Sequence, residues 1–259
     1  MNRTILISAT LLAFFLQSCK RENWPCIKGK GSITTETRTV SDFNSIEFQT
    51  EGTVYITKGA AFEVKIEAQP NIISDMKTEV NGSELKIYNR HCLRDHDQIK
   101  VYITLPDLRG IDLTGSGSML VQSIFQSPFM DVNVSGSGNI EIQDSLLADA
   151  VNVNISGSGD VLMNAWCSSF SGKISGSGSL RVNGNSVTEN LTISGSGEIH
   201  SFDLTVDQSA VNISGSGNCE VNVASTLDVS ISGSGDVYYK GTPVVTTHIS
   251  GSGNLIHVN

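Results

Sequence analysis

The sequence predicts an all-β chain: a right-handed parallel β-helix (β-solenoid) of about eight Gly-Ser-Gly-cornered coils, preceded by a less regular β-rich N-terminal half. Three observations carry this. Gly-Ser-Gly starts at Gly115, Gly136, Gly157, Gly176, Gly195, Gly215, Gly233 and Gly251, at steps of 18 to 21 residues. Two places before each corner stands a branched aliphatic: Leu113, Val134, Ile155, Ile174, Ile193, Ile213, Ile231 and Ile249. Two places after each corner stand Met119, Ile140, Val161, Leu180, Ile199, Cys219, Val237 and Leu255. A near-constant period of this length marks a solenoid. Alternation with period two on both sides of a Gly-rich corner marks strand, turn, strand.

Each repeat is then one coil, stacked about 4.8 Å from the next. Crossovers between parallel strands are right-handed in nearly all folds, hence the expected hand. The corner glycines are Gly115, Gly117, Gly136, Gly138, Gly157, Gly159, Gly176, Gly178, Gly195, Gly197, Gly215, Gly217, Gly233, Gly235, Gly251 and Gly253. Both glycines of each corner are expected to serve backbone angles closed to other residues. Other readings of Gly-Ser-Gly fit less well. A flexible linker would have contiguous Gly and Ser with featureless flanks. A phosphate cradle needs one such loop opening a helix. Calcium-binding nonapeptide repeats need a period of nine, although "GSGDV" occurs at Asp160 and Asp236.

Ahead of the repeats, residues 33–108 alternate as strands do, with Ile46 and Phe48, Val54 and Ile56, Val64 and Ile66, then Val101 and Ile103. Asn81-Gly82 signals a hairpin. "NIISDMKTEV" holds the one plausible helical turn. Terminal repeats of solenoids are atypical because they close an otherwise open core, so this half is expected to cap the stack. The organisation expected is residues 1–18 as a lipoprotein signal peptide, 19–32 as a lipidated tether, 33–108 as the irregular β-rich part and 109–259 as the repeat solenoid.

The signal reading rests on Arg3 followed by an apolar run from Ile5 to Leu16. That run is too short to cross a bilayer and has the length of a signal-peptide core. It ends in Leu16-Gln17-Ser18-Cys19, which resembles a bacterial lipobox with Cys19 as the lipidated residue. Acyl chains there would hold the mature chain to a membrane, at about 0.8 kcal/mol per buried CH₂. Lys20 follows, with no Asp beside it, which resembles the outer-membrane default of lipoprotein sorting. The expected place is therefore the cell envelope, periplasmic or surface-exposed.

The whole chain of 259 residues carries a formal charge of −9, and losing Arg3 with the signal makes the mature chain one unit more negative. An acidic chain repels phosphate backbones, so nucleic acid is not an expected partner. An exported chain permits disulfides. Cys219 falls in an inward column and is expected to be a buried, inert thiol. Cys167 falls in a repeat connection. Cys26 and Cys92 remain as the natural pair, closing a 66-residue loop worth about 4 kcal/mol in the chain-entropy model. The alternative is two free thiols.

No catalytic residue stands out. Glycan-cleaving β-helices need clustered carboxylates on one face. Here Glu141, Asp144, Asp160, Glu198, Asp203, Glu220 and Asp236 are scattered. The densest polar stretch, "RHCLRDHDQ", offers His91 and His96 as weak metal candidates, without a recognised ligand spacing. Asn-x-Ser/Thr matches such as Asn154 arise from the repeat itself, and "DSL" at Asp144 resembles a bacterial O-glycosylation sequon. No cofactor is expected.

An ordered set of motifs resembles the family of putative auto-transporter adhesins with a head GIN domain. It comprises "RTVSDFNSIEF" (Arg38, Val40, Phe43, Ile46), "GTVYITKG", "ELKIY", "VYITLPDLRGIDLTGSG" and the serial "ISGSG" corners. The resemblance covers about residues 30–259. It implies a right-handed β-helix in an exported, often lipid-anchored protein, and it carries over no catalytic or binding residues. The chain shows no translocating barrel, so auto-transport is not expected of it. The reading placed first is a non-catalytic, membrane-anchored envelope lipoprotein, an adhesin or ligand-binding module for a glycan or protein. A structural envelope lipoprotein without a dedicated ligand comes second, and a glycan-active β-helix enzyme third.

Overall fold

The computed structural model describes residues 26–259, so the signal peptide and Cys19 lie outside the described residues. The chain is 71% strand and 3% helix and forms a β-solenoid of about seven turns. Each coil is one long bent strand: Phe125–Gly136, Asn139–Gly157, Asp160–Gly176, Ser179–Gly195, Glu198–Gly215 and Asn218–Gly233. Neighbours pair in parallel, and the corner glycines stay in register from Gly136 through Gly157, Gly176, Gly195, Gly215 and Gly233 to Gly251. The unequal repeat lengths are absorbed away from the corners, at register shifts between Ile142 and Ser145, Arg181 and Gly184, and Ser201 and Thr205.

Both aliphatic columns point inward. From Leu113 to Ile231 and from Met119 to Val237 every member is buried. Stacked apolar side chains fill the interior, which is where most of the stabilising apolar burial lies. Cys219 has no exposed surface and sits between Ile199 and Val237. Burial pushes its thiol pKa well above the usual 9.0. A maleimide or disulfide reagent is expected to leave Cys219 unmodified in the native protein at pH 8 and to modify it at once in denaturant. Rapid labelling of the folded chain, mapped to Cys219, would contradict the inward column.

The two glycines of a corner are needed for different reasons, which corrects the expectation that both supply unusual angles. The first, from Gly136 to Gly251, has φ between 133° and 150°. The second carries no such φ. A Cβ on Gly197 would lie 2.5 Å from the Ile174 side chain and 2.7 Å from the Gly178 carbonyl oxygen. Close stacking, not angle, demands glycine there. Gly115, first corner of the series and preceded by Thr114, lacks the positive φ. The middle serine is exposed, and its backbone N–H donates to the glycine carbonyl one coil back: Ser177 to Gly157 and Ser196 to Gly176, both 2.9 Å.

The parallel stack extends further toward the N-terminus than the Gly-Ser-Gly repeats. Ser45–Phe48 and Thr53–Lys58 lie in parallel beneath Gly110–Leu113 and Ser118–Val121. Glu84–Asn89 and Lys100–Leu105 lie in parallel beneath those. Beyond them the pairing turns antiparallel. Met76–Asn81 folds back on Glu84–Asn89 across the Gly82 turn, Glu63–Ala68 on Lys100–Leu105, and Thr34–Arg38 on Glu63–Ala68. One short helix, Pro70–Asp75, starts at Pro70, whose missing N–H costs nothing at that position. It buries Ile72 and Ile73 against this end of the core. Antiparallel strands cannot template another coil of the same kind, so they close the stack.

Candidate ligand-binding groove

Counting back from the first corner glycine defines three further columns. Six places back stand Met130, Val151, Phe170, Glu189, Ser209, Leu227 and Val245. Their backbones are paired coil to coil, and from Met130 to Leu227 all are buried. On either side lie outward columns, Phe129 to Val244 and Asp131 to Thr246. Where the coils bend here, two hollows open along one edge of the solenoid. The first, about 420 Å³, is lined by Gln126, Ser127, Pro128, Leu147, Ala148, Asp149 and Trp166. The second, about 570 Å³, runs from Ser169, Thr188, Glu189 and Asn190 through Gln208 and Ser209 to Thr226, Asp228 and Thr246. The second lies on the column from Phe129 to Val244, which crosses seven coils, roughly 30 Å at the usual strand spacing; the first lies on the column Gln126, Leu147 and Trp166 and shares no lining residue with the second.

This edge concentrates exposed apolar side chains. Trp166 is 44% exposed, Phe129 42% and Leu147 37%, with Val187 nearby in the chain at 49%. The Arg109 guanidinium lies 5.7 Å over the Phe129 ring, a cation–π contact. The rest of the lining is amide, hydroxyl and carboxylate, and no Lys or Arg lines either hollow.

Glu189 was not singled out by its sequence, although its place six residues before Gly195 puts it in an otherwise largely apolar column. It is 3% exposed. The Ser209 hydroxyl donates to Oε2 at 2.7 Å, and Oε1 has no partner. Ser201, also fully buried, donates its hydroxyl to the Glu220 carbonyl at 2.6 Å. Burial, partly offset by the nearby Ser209 and Ser201 hydroxyls, pushes the Glu189 pKa up from 4.5 to about 7.

The sequence-chosen residues fall elsewhere. Cys26 and Cys92 are joined by a disulfide with Cα atoms 4.6 Å apart. It ties the short strand Ile27–Lys28 to Leu93–Arg94. His91 and His96 are held by different carboxylates. His91 Nδ1 lies 2.5 Å from Asp75 Oδ1, and the His91 backbone N–H donates to Asp75 Oδ2 at 3.1 Å. Burial works to raise the Asp75 pKa, but the hydrogen bonds from His91 and Asn89 outweigh it and hold the carboxyl below its usual value. His96 Nε2 pairs with Glu51 at 2.9 Å. Burial works to lower the His96 pKa, but the Asp97 carbonyl and Glu51 raise it. No group of three metal-ligating side chains occurs among the described residues. Of the scattered acids, Glu198 and Glu220 are brought to the two ring nitrogens of His200, at 3.4 and 2.9 Å, on the outer surface. The sequence spacing alone did not reveal that pairing.

Solved structures share this architecture. A putative adhesin from Parabacteroides distasonis ATCC 8503 superposes with a TM-score of 0.86 at 24% identity, covering 90% of this chain and 100% of its own. A putative adhesin from Parabacteroides merdae ATCC 43184 gives 0.85 at 21% identity, covering 90% and 99%. A chain described as a putative lipid binding protein, also from Parabacteroides distasonis ATCC 8503, gives 0.85 at 27% identity, covering 91% and 100%. No curated protein matches the sequence. The family model described as "Putative auto-transporter adhesin, head GIN domain" matches residues 42–146 and again 127–243, so the chain belongs to that family.

Proposed function

We propose that the protein is a non-catalytic, membrane-anchored lipoprotein of the cell envelope, held to the outer membrane through Cys19, whose β-helix binds a ligand as an adhesin does. The observation that carries the binding part is the solenoid edge from Phe129 to Val244. It gathers half-exposed aromatic and aliphatic side chains beside rows of amides and hydroxyls, and such mixed surfaces mark interaction sites. The repeated serines support the non-catalytic part: they are exposed corners whose backbone groups hold the coils together. The family's description as adhesins agrees with this reading. One solved relative is described as lipid binding. Here the interior columns are filled by side chains, so an acyl chain would have to lie on the outer edge.

Among the described residues no helix is long and apolar enough to cross a membrane. Cys19→Ala is expected to abolish incorporation of labelled palmitate and to move the protein from the membrane pellet to the soluble fraction. Retention in the pellet without label would overturn the anchor. Arrays of glycans and envelope proteins probed with the mature chain from Lys20 test the binding part. A blank result on both arrays favours a structural lipoprotein without a dedicated ligand.

A further inference from the structure

We propose that the free edge of the last coil, Val244–Gly251, pairs antiparallel with the same strand of a second copy of the chain, giving a closed dimer joined end to end. Val244–Gly251 stacks on Asn218–Gly233, and Leu255–His257 stacks on Val237–Lys240. Among the described residues no strand lies on their other side. An edge strand leaves a row of backbone N–H and C=O groups open to pairing. The inward columns also lose their cover here. Val245, Thr247 and Ile249 lie over the buried Leu227, Val229 and Ile231, yet Thr247 is exposed and Ile249 is 39% exposed. Val244, on the outward side of the same strand, is 74% exposed.

Three observations select a second copy as the occupant. The first is charge. No Asp, Glu, Lys or Arg follows Lys240, in a chain of formal charge −9. The nearest carboxylates sit one coil back: Asp228 beside Thr246, and Asp236, which accepts the Asn254 amide at 2.9 Å. An acidic chain can present an uncharged surface to itself without the repulsion its other faces would meet. The second is the contrast with the capped end. Among the described residues Thr34–Arg38 pairs only with Glu63–Ala68 and carries Glu36 and Arg38, and Met76–Asn81 pairs only with Glu84–Asn89 and carries Lys77 and Glu79. Charges on an edge block the addition of a further strand, and the last coil has none. The third is register. Placing Thr247 opposite its own copy sets Val245 against Ile249, so inward residues meet inward residues and the core runs on from one chain into the other. A slip of one residue would turn the inward set of one strand onto the outward set of its partner. The pairing is two-fold and uses one end of each chain, so it stops at two copies instead of growing into a fibre.

The test is sedimentation equilibrium of the mature chain from Lys20, across micromolar concentrations, with a reversible monomer–dimer equilibrium as the expected result. Thr247→Lys puts two like charges face to face in the dimer and should weaken association roughly tenfold or more. Thr247 is exposed in the single chain, so the circular dichroism and unfolding midpoint of dilute protein should not change. Thr35→Lys, the same substitution on the charged edge at the other end, should leave the dimer intact. A cross-link reads the register in a Cys167→Ser background, which removes the partly exposed free thiol. Directly opposed Cα atoms of an antiparallel pair lie about 4.5–5.5 Å apart, within reach of a disulfide. Thr247→Cys should therefore trap a covalent dimer under mild oxidation, whereas Val244→Cys, which faces position 250, should not. A monomer at every concentration overturns the proposal, and so do open-ended polymers. A dimer that Thr247→Lys leaves intact, that Thr35→Lys dissolves, or in which Thr247→Cys fails to cross-link overturns it as well.

Discussion

Gly195→Val is expected to deprive the protein of a stable native state or to lower its melting temperature steeply, while Ser196→Ala leaves it nearly unchanged. Gly195 has φ of 133°, and a Cβ there would lie 2.5 Å from the Gly176 carbonyl oxygen. That oxygen already accepts the Ser196 N–H at 2.9 Å, so it cannot move aside without breaking the link between coils. The backbone strain alone costs roughly 1–3 kcal/mol, and the displaced carbonyl adds to it. In a solenoid each coil rests on its neighbours, so the damage is shared with the coils on either side. The Ser196 side chain is exposed, and its replacement should fall within about 0.5 kcal/mol. Gly82→Ala is an informative control. Its φ is 64°, but nothing lies within 4 Å of the added Cβ, so it isolates the angle at about 1 kcal/mol. Denaturant midpoints of the three variants check the order. Gly195→Val melting like the parent would refute the structural role of the corner, and Ser196→Ala unfolding the chain would refute its exposure.

The second large effect lies at Glu189, where stability should fall as pH rises. The carboxyl has its ordinary pKa near 4.5 when unfolded and about 7 when folded. Between those values the folded state holds a proton that the unfolded state has released. Stability from this group is therefore full below about pH 4.5 and lost as pH climbs to about 7. At roughly 1.4 kcal/mol per pH unit the total is about 3 kcal/mol. Glu189→Gln removes the titration, keeps the shape and leaves Ser209 an acceptor to donate to. The difference in stability between pH 5 and pH 8 should then shrink by about that amount, and at pH 8 the variant should be the more stable protein. Glu84 and Asp112, both raised by burial first and by neighbouring carboxylates second, tilt the parent the same way. They are common to both proteins, so the variant-minus-parent difference isolates Glu189. An identical pH dependence in the two would show that Glu189 is ionised in the fold.

Much of the solenoid was legible in the sequence because a stacked coil writes its inward and outward pattern directly into the chain. The columns at fixed distance from Gly136, Gly157 and Gly176 are the same columns that pair in space. Even Glu189 was readable this way, as the one carboxylate in a column that otherwise holds Met130, Val151 and Phe170. The second glycine of each corner was read as an angle because a sequence shows only that a side chain is missing. That the reason is the Ile174 side chain and the Gly178 carbonyl lying against Gly197 needed the stacked coils.

What the tertiary structure alone decided are the matters in which residues far apart in the chain choose one another. Ser45–Phe48 pairs with Gly110–Leu113, and Glu84–Asn89 pairs beneath it, so stacking order and chain order part company in the N-terminal half. Alternation there identified strands but not partners, because period two reports which face a residue uses and nothing about which strand lies alongside. The separation of His91 and His96 onto Asp75 and Glu51 has the same origin. The two hollows depend on which residues the stacking sets side by side, Ser169 with Thr188 and Thr188 with Gln208 in one, Leu147 with Trp166 in the other.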